Sequence, residues 1–196
     1  MTASVFPNDT INGLTFADAA VVPSVTNTGG LTGVSINADG TLSVPAGTPA
    51  GPYTVTYQIC ETVNPTNCDT ATVDLVVTAA AIVANDNDFT STPVTGSTGG
   101  ATPSVFPDDR LNGAVFADSA VTPSLTSDGG LTGVSINPDG TLSVPAATPA
   151  GTYTVGYQIC EVLNPANCDP ATATVVVGAS AITANDDDFT ASPING

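Results

Sequence analysis

The chain has 196 residues, of which 18 are acidic and one is basic, so its formal net charge is −17 at pH 7. It contains no Lys, His or Trp, so the usual general bases, imidazole metal ligands and phosphate-binding amines are missing and catalysis is disfavoured. Such a chain would also repel nucleic acid and an anionic membrane surface. Apolar residues make up 41% of the sequence, which suffices for packed cores, and no apolar run approaches the ~20 residues of a membrane-spanning helix.

Short predicted strands alternate with turns along the chain, and no helical period is sustained. Residues 31–36 and 41–44 flank a turn at residues 37–40, whose Asp-Gly pair supplies the positive φ of a β-hairpin. A longer strand at residues 53–60 alternates apolar and polar side chains, and a returning strand does the same from residue 73. The residues predicted to face a core on these two strands are Tyr53, Val55, Tyr57, Ile59, Val73, Leu75 and Val77.

Two pairs of cysteines have the same spacing, Cys60 with Cys68 and Cys160 with Cys168. The alternation of the two strands directs both members of a pair outward on neighbouring strands, so we predict one cross-hairpin disulfide in each pair. Closing a loop of this length stabilises a fold by about 2.5 kcal/mol in the chain-entropy model, and a disulfide implies an oxidising, extracellular compartment. A zinc site is a poorer interpretation, because two thiols at this spacing with no His leave the site incomplete.

The sequence repeats itself after 100 residues, with 65 identities among the 96 aligned pairs, which predicts an array of two like modules. Residues 81–96 recur as residues 181–196, and we expect this segment to open a module. The first module, residues 1–80, then lacks its opening strand, and residues 81–180 form a complete module. Residues 181–196 are the first strand of a following repeat, or they complete the first module of a second copy of the chain.

The number of strands in each module predicts the fold class. Seven or so short strands per module, separated by turn signals, predict an all-β protein of tandem Greek-key immunoglobulin-like β-sandwich modules. An up-and-down barrel is the alternative, and the proline-rich breaks after residue 44 argue against it.

Three motifs carry a resemblance to a known class of repeat: SVFPNDTING at residues 4–13, PAGTPAGPYTVTYQIC at 45–60 and ANDNDF at 84–89. They resemble the tandem immunoglobulin-like and cadherin-like repeats of giant bacterial surface adhesins, including those that gliding bacteria display. The resemblance spans both modules. It implies an extracellular location at the bacterial cell surface and a role in cell adhesion.

The same resemblance implies calcium at the module junctions, because cadherin-like repeats coordinate it there with runs of Asp and Asn. Such runs lie at residues 85–88 and 185–188, and shorter ones at residues 8–9 and 108–109. Calcium takes about six to eight oxygen ligands, which several carboxylates could supply. In the alternative interpretation these residues are turn formers on a solvated surface. The expected calcium ligands are Asp9, Asp86, Asp88, Asp108, Asp109, Asp186 and Asp188.

Three classes of function can be weighed from the sequence. Near-identical modules favour a structural stalk or filament that holds a distal adhesive part away from the cell, with neighbouring repeats or head-to-tail copies of the chain as partners. Direct binding of a carbohydrate or another extracellular surface would need exposed aromatic side chains, and the four tyrosines are predicted to face inward. A glycosidase would need paired carboxylates at a substrate platform, whereas each module has one Glu, and isopeptide cross-links are excluded because there is no Lys.

Overall fold

The computed structural model describes residues 1–188 and Ala191. Part of the predicted opening strand at residues 181–196, namely residues 189–190 and 192–196, lies outside the described residues. The chain divides into two compact units. The first contains Met1–Ala81 and Glu161–Asn167, and the second contains Ile82–Cys160 and Cys168–Gly196. The assignment of residues 1–80, 81–180 and 181–196 to separate domains stays a prediction.

The first unit is built from short strands and single turns of 3₁₀ helix. The 3₁₀ turns are Phe6–Asn8 and Asp18–Ala20. The strands are β1 (Val21–Asn27), β2 (Ser35–Ile36), β3 (Leu42–Ser43), β4 (Gly51–Glu61) and β5 (Cys68–Val77). Strands β1, β4 and β5 form an antiparallel sheet in that order, and β2 pairs with β3 as a hairpin.

The second unit contains counterparts of β1 to β5 and of the Asp18–Ala20 turn, and five further strands between residues 82 and 111. Its strands are β6 (Ile82–Val83), β7 (Asn87–Asp88), β8 (Val94–Thr95), β9 (Gly100–Ser104), β10 (Arg110–Leu111), β11 (Val121–Ser127), β12 (Ser135–Ile136), β13 (Thr141–Val144), β14 (Gly151–Glu161) and β15 (Cys168–Gly178). A 3₁₀ turn, Asp118–Ala120, precedes β11.

Two main sheets enclose the core of the second unit. One has the order β11-β14-β15-β7, with β8 also pairing with β15, and the other has the order β12-β13-β9; β6 pairs with β10 apart from both. The predicted all-β, immunoglobulin-like β-sandwich class is confirmed. No helix in the described part of the chain is long and apolar enough to cross a membrane.

The alternation on the long strand places its apolar side chains in the core, as predicted. Val55 and Tyr57 are 0% and 4% exposed, and the equivalent Val155 and Tyr157 are both 0% exposed. The predicted hairpin forms as β2 and β3, although its paired strands are shorter than residues 31–36 and 41–44. Its turn closes with Gly40 at φ 78°, a conformation that favours glycine because it has no Cβ.

The two units differ most at the outer edge of their last strand. In the second unit β7 and β8 pair in parallel with β15 and cover this edge. In the first unit β5 is the last strand of its sheet, and no described residue pairs with its outer edge. The outer edge of β5 therefore has backbone N–H and C=O groups that no described strand pairs with, and the apolar face beside this edge is left uncovered.

Candidate functional site

The candidate site consists of the outer edge of β15 and of residues 81–96, the covering segment, which pairs with that edge. Four of the acidic residues singled out from the sequence lie in this segment or beside it: Asp86, Asp88, Asp108 and Asp109. In the second unit, backbone hydrogen bonds attach the covering segment at two points. Phe89 N–H donates to the Thr174 carbonyl at 2.9 Å, and Gly96 N–H donates to the Gly178 carbonyl at 2.9 Å. Between these points Phe89 and Val94 turn their side chains into the core, where they are 8% and 6% exposed.

Carboxylates fasten the first part of this segment, where regular strand pairing is interrupted. Asp169 Oδ2 accepts from the Ala84 N–H at 2.8 Å, and Asp109 Oδ1 accepts from the Asn85 N–H at 2.7 Å. Asp86 Oδ1 accepts in the other direction, from the Thr172 N–H at 2.8 Å and its hydroxyl at 2.9 Å. These bonds hold the pKa of Asp86 below its usual range. The acidic residues thus replace missing backbone partners.

Tyr157 provides a polar contact beneath the same segment. Its hydroxyl donates to the Asn85 carbonyl at 2.8 Å and accepts from Asn87 Nδ2 at 3.0 Å, and Nδ2 also donates to the Val105 carbonyl at 3.2 Å. Burial raises the pKa of Tyr157, and the charge of Asp109 acts in the same direction. The phenol is therefore held neutral as a hydrogen-bond donor.

Asp109 is the exceptional residue of the site, because its side chain is 0% exposed and its Oδ2 has no hydrogen-bond partner among the described residues. Burial raises the pKa of Asp109 to about 6. The charges of Asp108 and Asp169 contribute to this raised value, and the Asn85 N–H and the Arg110 charge partly offset it. An oxygen that has no partner in the interior destabilises the ionised form, so this carboxyl keeps its proton to a higher pH than an exposed Asp does.

The expected calcium ligands do not fit a metal site as they are placed. Among the described residues no group of three or more Asp, Glu, Cys or His side chains is arranged to hold a metal ion. Asp88 Oδ1 accepts from the Thr90 N–H at 2.8 Å, and Asp9 accepts from the Tyr57 hydroxyl. Asp108, Asp186 and Asp188 are exposed. Calcium binding by these residues therefore stays a prediction.

The equivalent surface of the first unit is an open groove. Thr2, Ala3, Ser4, Val5, Pro7, Asn8, Tyr57, Thr72, Val73, Asp74 and Leu75 line a cavity of about 470 Å³ along β5. Beside this cavity the hydroxyl of Tyr57, one of its lining residues, donates to Asp9 Oδ2 at 3.0 Å and is 3.2 Å from Oδ1. Burial, followed by this contact with Asp9, raises the pKa of Tyr57 to about 12. The groove therefore has a mixed lining, in which the apolar side chains of Val5, Val73 and Leu75 stand among polar ones and Asp74.

The cysteines form the two predicted disulfides, Cys60–Cys68 and Cys160–Cys168, each across the last pair of its hairpin. In the first hairpin Cys68 is exposed and Cys60 half-buried, which agrees with a surface position. No described cysteine is free.

The loop that each disulfide closes is organised by its glutamate, a role that the sequence analysis missed. Asn64 and Asn67 both donate their side-chain amides to Glu61 Oε2, at 2.8 and 3.2 Å. The bond from Asn64 is the first cause, and that from Asn67 the second, that holds the pKa of Glu61 below its usual range. The conserved spacing of one Glu and two Asn between paired cysteines in both repeats was the available signal.

The sequence analysis also missed that Asp109 and Asp169 accept backbone N–H groups from the covering segment. Nothing local in the sequence marks these contacts, because they join residues 24 and 85 positions apart. Only the recurrence of Asp9 and Asp69 at the same positions of the first repeat hints that they belong to the fold.

No family model matches the chain, and no curated protein matches it in sequence. Similar solved structures include mouse cadherin-23 EC22–24, with 12% identity over 82% of this chain and 53% of that chain and a TM-score of 0.36. The human desmocollin-1 ectodomain has 12% identity over 83% and 35% of the two chains and a TM-score of 0.40. An endo-fucoidan hydrolase of glycoside hydrolase family 107 has 13% identity over 83% and 24% and a TM-score of 0.33.

The chain thus spans about half the length or less of each of these three proteins. Cadherin ectodomain repeats are among its structural neighbours, at low TM-score and identity. Similarity at this level carries no argument about function.

Proposed function

We propose that the chain is a non-catalytic stretch of the stalk of an extracellular bacterial surface adhesin, in which serial sandwiches hold an adhesive part away from the cell. The observation that carries the proposal is the near-identity of the repeats, with 65 of 96 aligned residues the same. A ligand site that served only one module would make that module diverge. Here the strand framework, the hairpin disulfide and the Glu-centred loop all recur.

Two further features support an extracellular stalk. The disulfides are consistent with an oxidising compartment, and each fixes a hairpin loop that would otherwise be open to proteases. Four residues, 78–81, connect the last strand of the first unit to β6 of the second, so one module continues into the next with little intervening chain. Both glutamates are engaged by neighbouring amides, which accounts for them without catalysis.

The test extends the array in its own register. Because residue 196 aligns with residue 96, residues 97–196 can be appended after Gly196 once or several times. For a stalk, the maximum dimension from small-angle scattering should rise in equal steps with each added repeat. Dimensions that grow only as those of a compact globule would contradict the proposal. A glycan array probed with the 196-residue chain provides the second arm, and specific binding there would replace the stalk with a ligand-binding role.

A further inference from the structure

We propose that the groove along β5 of the first unit is a docking site for residues 181–196 of a second copy of this chain. The segment would bind as a strand parallel to β5, as residues 81–96 bind β15 in the second unit. This inference goes beyond the stalk role, and either can fail without the other.

Equivalent core positions are more deeply buried in the second unit than in the first. In the second unit the covering segment completes a core whose members are at most 2% exposed at five positions: Val105, Ile159, Ala173, Val175 and Val177. The equivalent residues of the first unit are only half-buried: Val5, Ile59, Val73, Leu75 and Val77. The same fold therefore has an apolar wall that is covered in one repeat and open in the other.

Residues 181–196 match the segment that covers the equivalent edge in the second unit. Residues 181–196 are identical to residues 81–96 at 10 of 16 positions. They retain the features by which the covering segment is held: Asp186 for Asp86, Phe189 for Phe89 and Gly196 for Gly96, while Ile194 replaces the buried Val94. The glycine matters because a Cβ on Gly96 would collide with the Thr148 carbonyl oxygen, and Thr48 recurs at that position of the first unit.

The strand register of the second unit can be applied to the first by subtracting 100 from the positions in β15 and adding 100 to those in the covering segment. The pairing of Ala173 with Asn87 and of Val177 with Val94 becomes Val73 with Asp187 and Val77 with Ile194. Asp69 would then accept the backbone N–H of residue 184, as Asp169 accepts that of Ala84. The strand would thus supply donors to an acid that the first unit already holds beside the groove.

The direction of the chain favours a second molecule. Residues 81–96 complete the module that follows them, not the one that precedes them. By the same connectivity residues 181–196 would complete a module other than the one that precedes them, and the first unit of another copy has the matching groove. Such a head-to-tail contact joins two different surfaces, so it propagates unless it closes into a ring.

Two substitutions should weaken this docking and make it depend on salt. Asp187 stands where Asn87 donates to Tyr157 and to a backbone carbonyl, and a carboxylate cannot donate those bonds. In the transferred register Asp188 would pair with Asp74, whereas Asp88 pairs with Thr174. Like charges on neighbouring strands repel, and added salt screens them.

The first experiment is sedimentation velocity on the full chain over a wide range of concentrations. We expect concentration-dependent oligomers that grow with added sodium chloride and that disappear when residues 181–196 are deleted. Oligomers that survive the deletion, or a full chain that stays monomeric at all concentrations and salt levels, would overturn the proposal.

A second variant tests the groove without removing the tail. Residues 81–100 placed before residue 1 should fill the groove within the same chain, because residue 101 aligns with residue 1. This closed variant should be monomeric. Its matched control carries Phe89→Asp in the added copy only and should oligomerise like the parent chain. Equal behaviour of the two variants would rule out groove filling.

A synthetic peptide of residues 181–196 completes the test. Labelled peptide should bind the chain that ends at residue 180 and should not bind the closed variant. Asp187→Asn in the peptide should tighten binding about tenfold by restoring the amide donor, and Phe189→Asp should abolish it. Equal affinity for the Phe189→Asp peptide would show adhesion without the proposed register and would overturn the proposal.

Discussion

Asp109 links the position of one carboxylate to the pH dependence of the second unit. Its native pKa of about 6 lies above the value of 3.8 that the carboxyl has in an unfolded chain. Between these values the unfolded chain has released a proton that the native state keeps, so stability falls as pH rises from about 4 to about 6. Asp109→Asn keeps an oxygen for the Asn85 N–H and removes the buried charge.

We therefore expect Asp109→Asn to raise the stability of the second unit at pH 7 by about 1 to 3 kcal/mol and to flatten its pH profile. Thermal unfolding at a series of pH values from 4 to 8 measures both effects. Asp9→Asn is the matched control: Asp9 is only half-buried and accepts from Tyr57, so the same gain should be absent. A destabilised Asp109→Asn variant would mean that the ionised carboxylate serves the native state.

The hydroxyl of Tyr157 allows a second test on single residues. Tyr157→Phe leaves the ring in the core but removes the donor to the Asn85 carbonyl and the acceptor for Asn87. We expect a loss of about 1 to 2 kcal/mol, because buried polar partners stay unpaired. Chemical denaturation followed by circular dichroism measures this loss, since the chain has no Trp to report by fluorescence. Tyr57→Phe, in the open groove, should cost less, and equal losses would argue against a special role of the covering segment.

Residue patterns in the sequence predicted the local structure well and the long-range contacts poorly. The alternation from Tyr53 to Ile59 and the Asp-Gly turn report on neighbours in the chain, so the core face and the hairpin could be inferred. Asp109 was expected to bind calcium because its sequence context shows only an acidic pair. The structure instead places its carboxylate against the Asn85 backbone, a contact that sequence order alone does not specify.

At the scale of elements, each hairpin of the long strands is closed by a disulfide at its tip. Replacing Cys60 and Cys68 by Ser removes the link while leaving the ladder and the Glu61 loop. We expect a loss of about 2.5 kcal/mol in the first unit from the chain-entropy effect. Cleavage at residues 61–67 by a nonspecific protease should also accelerate. The equivalent replacement of Cys160 and Cys168 is the comparison, and unchanged unfolding in both variants would show that the disulfides contribute no stability.

The recurrence of the covering segment could be predicted from the sequence, but the contacts that hold it could not. Repetition identified residues 81–96 and 181–196 as equivalent, yet it could not show how such a short segment is held. In the structure four of its residues form β7 and β8 and two form β6. Carboxylates, a tyrosine, two buried side chains and single backbone hydrogen bonds provide the other contacts. Strand propensity alone would therefore underestimate how firmly the covering segment is held.

At the scale of the whole molecule, the net charge of −17 determines the response to ions. Self-repulsion of this size destabilises a compact state, and counter-ions relieve it. In the described arrangement no three acidic side chains are placed to hold a metal ion, so without a rearrangement of these side chains divalent cations act as counter-ions. We therefore expect calcium and magnesium at equal concentration to raise the melting temperature by the same small amount. Differential scanning calorimetry in calcium, magnesium and excess chelator, all at matched ionic strength, makes the comparison. A larger shift in calcium alone, lost when Asp86 and Asp108 are replaced by Asn, would instead show that the carboxylates rearrange around that ion and would restore the calcium site expected from the sequence.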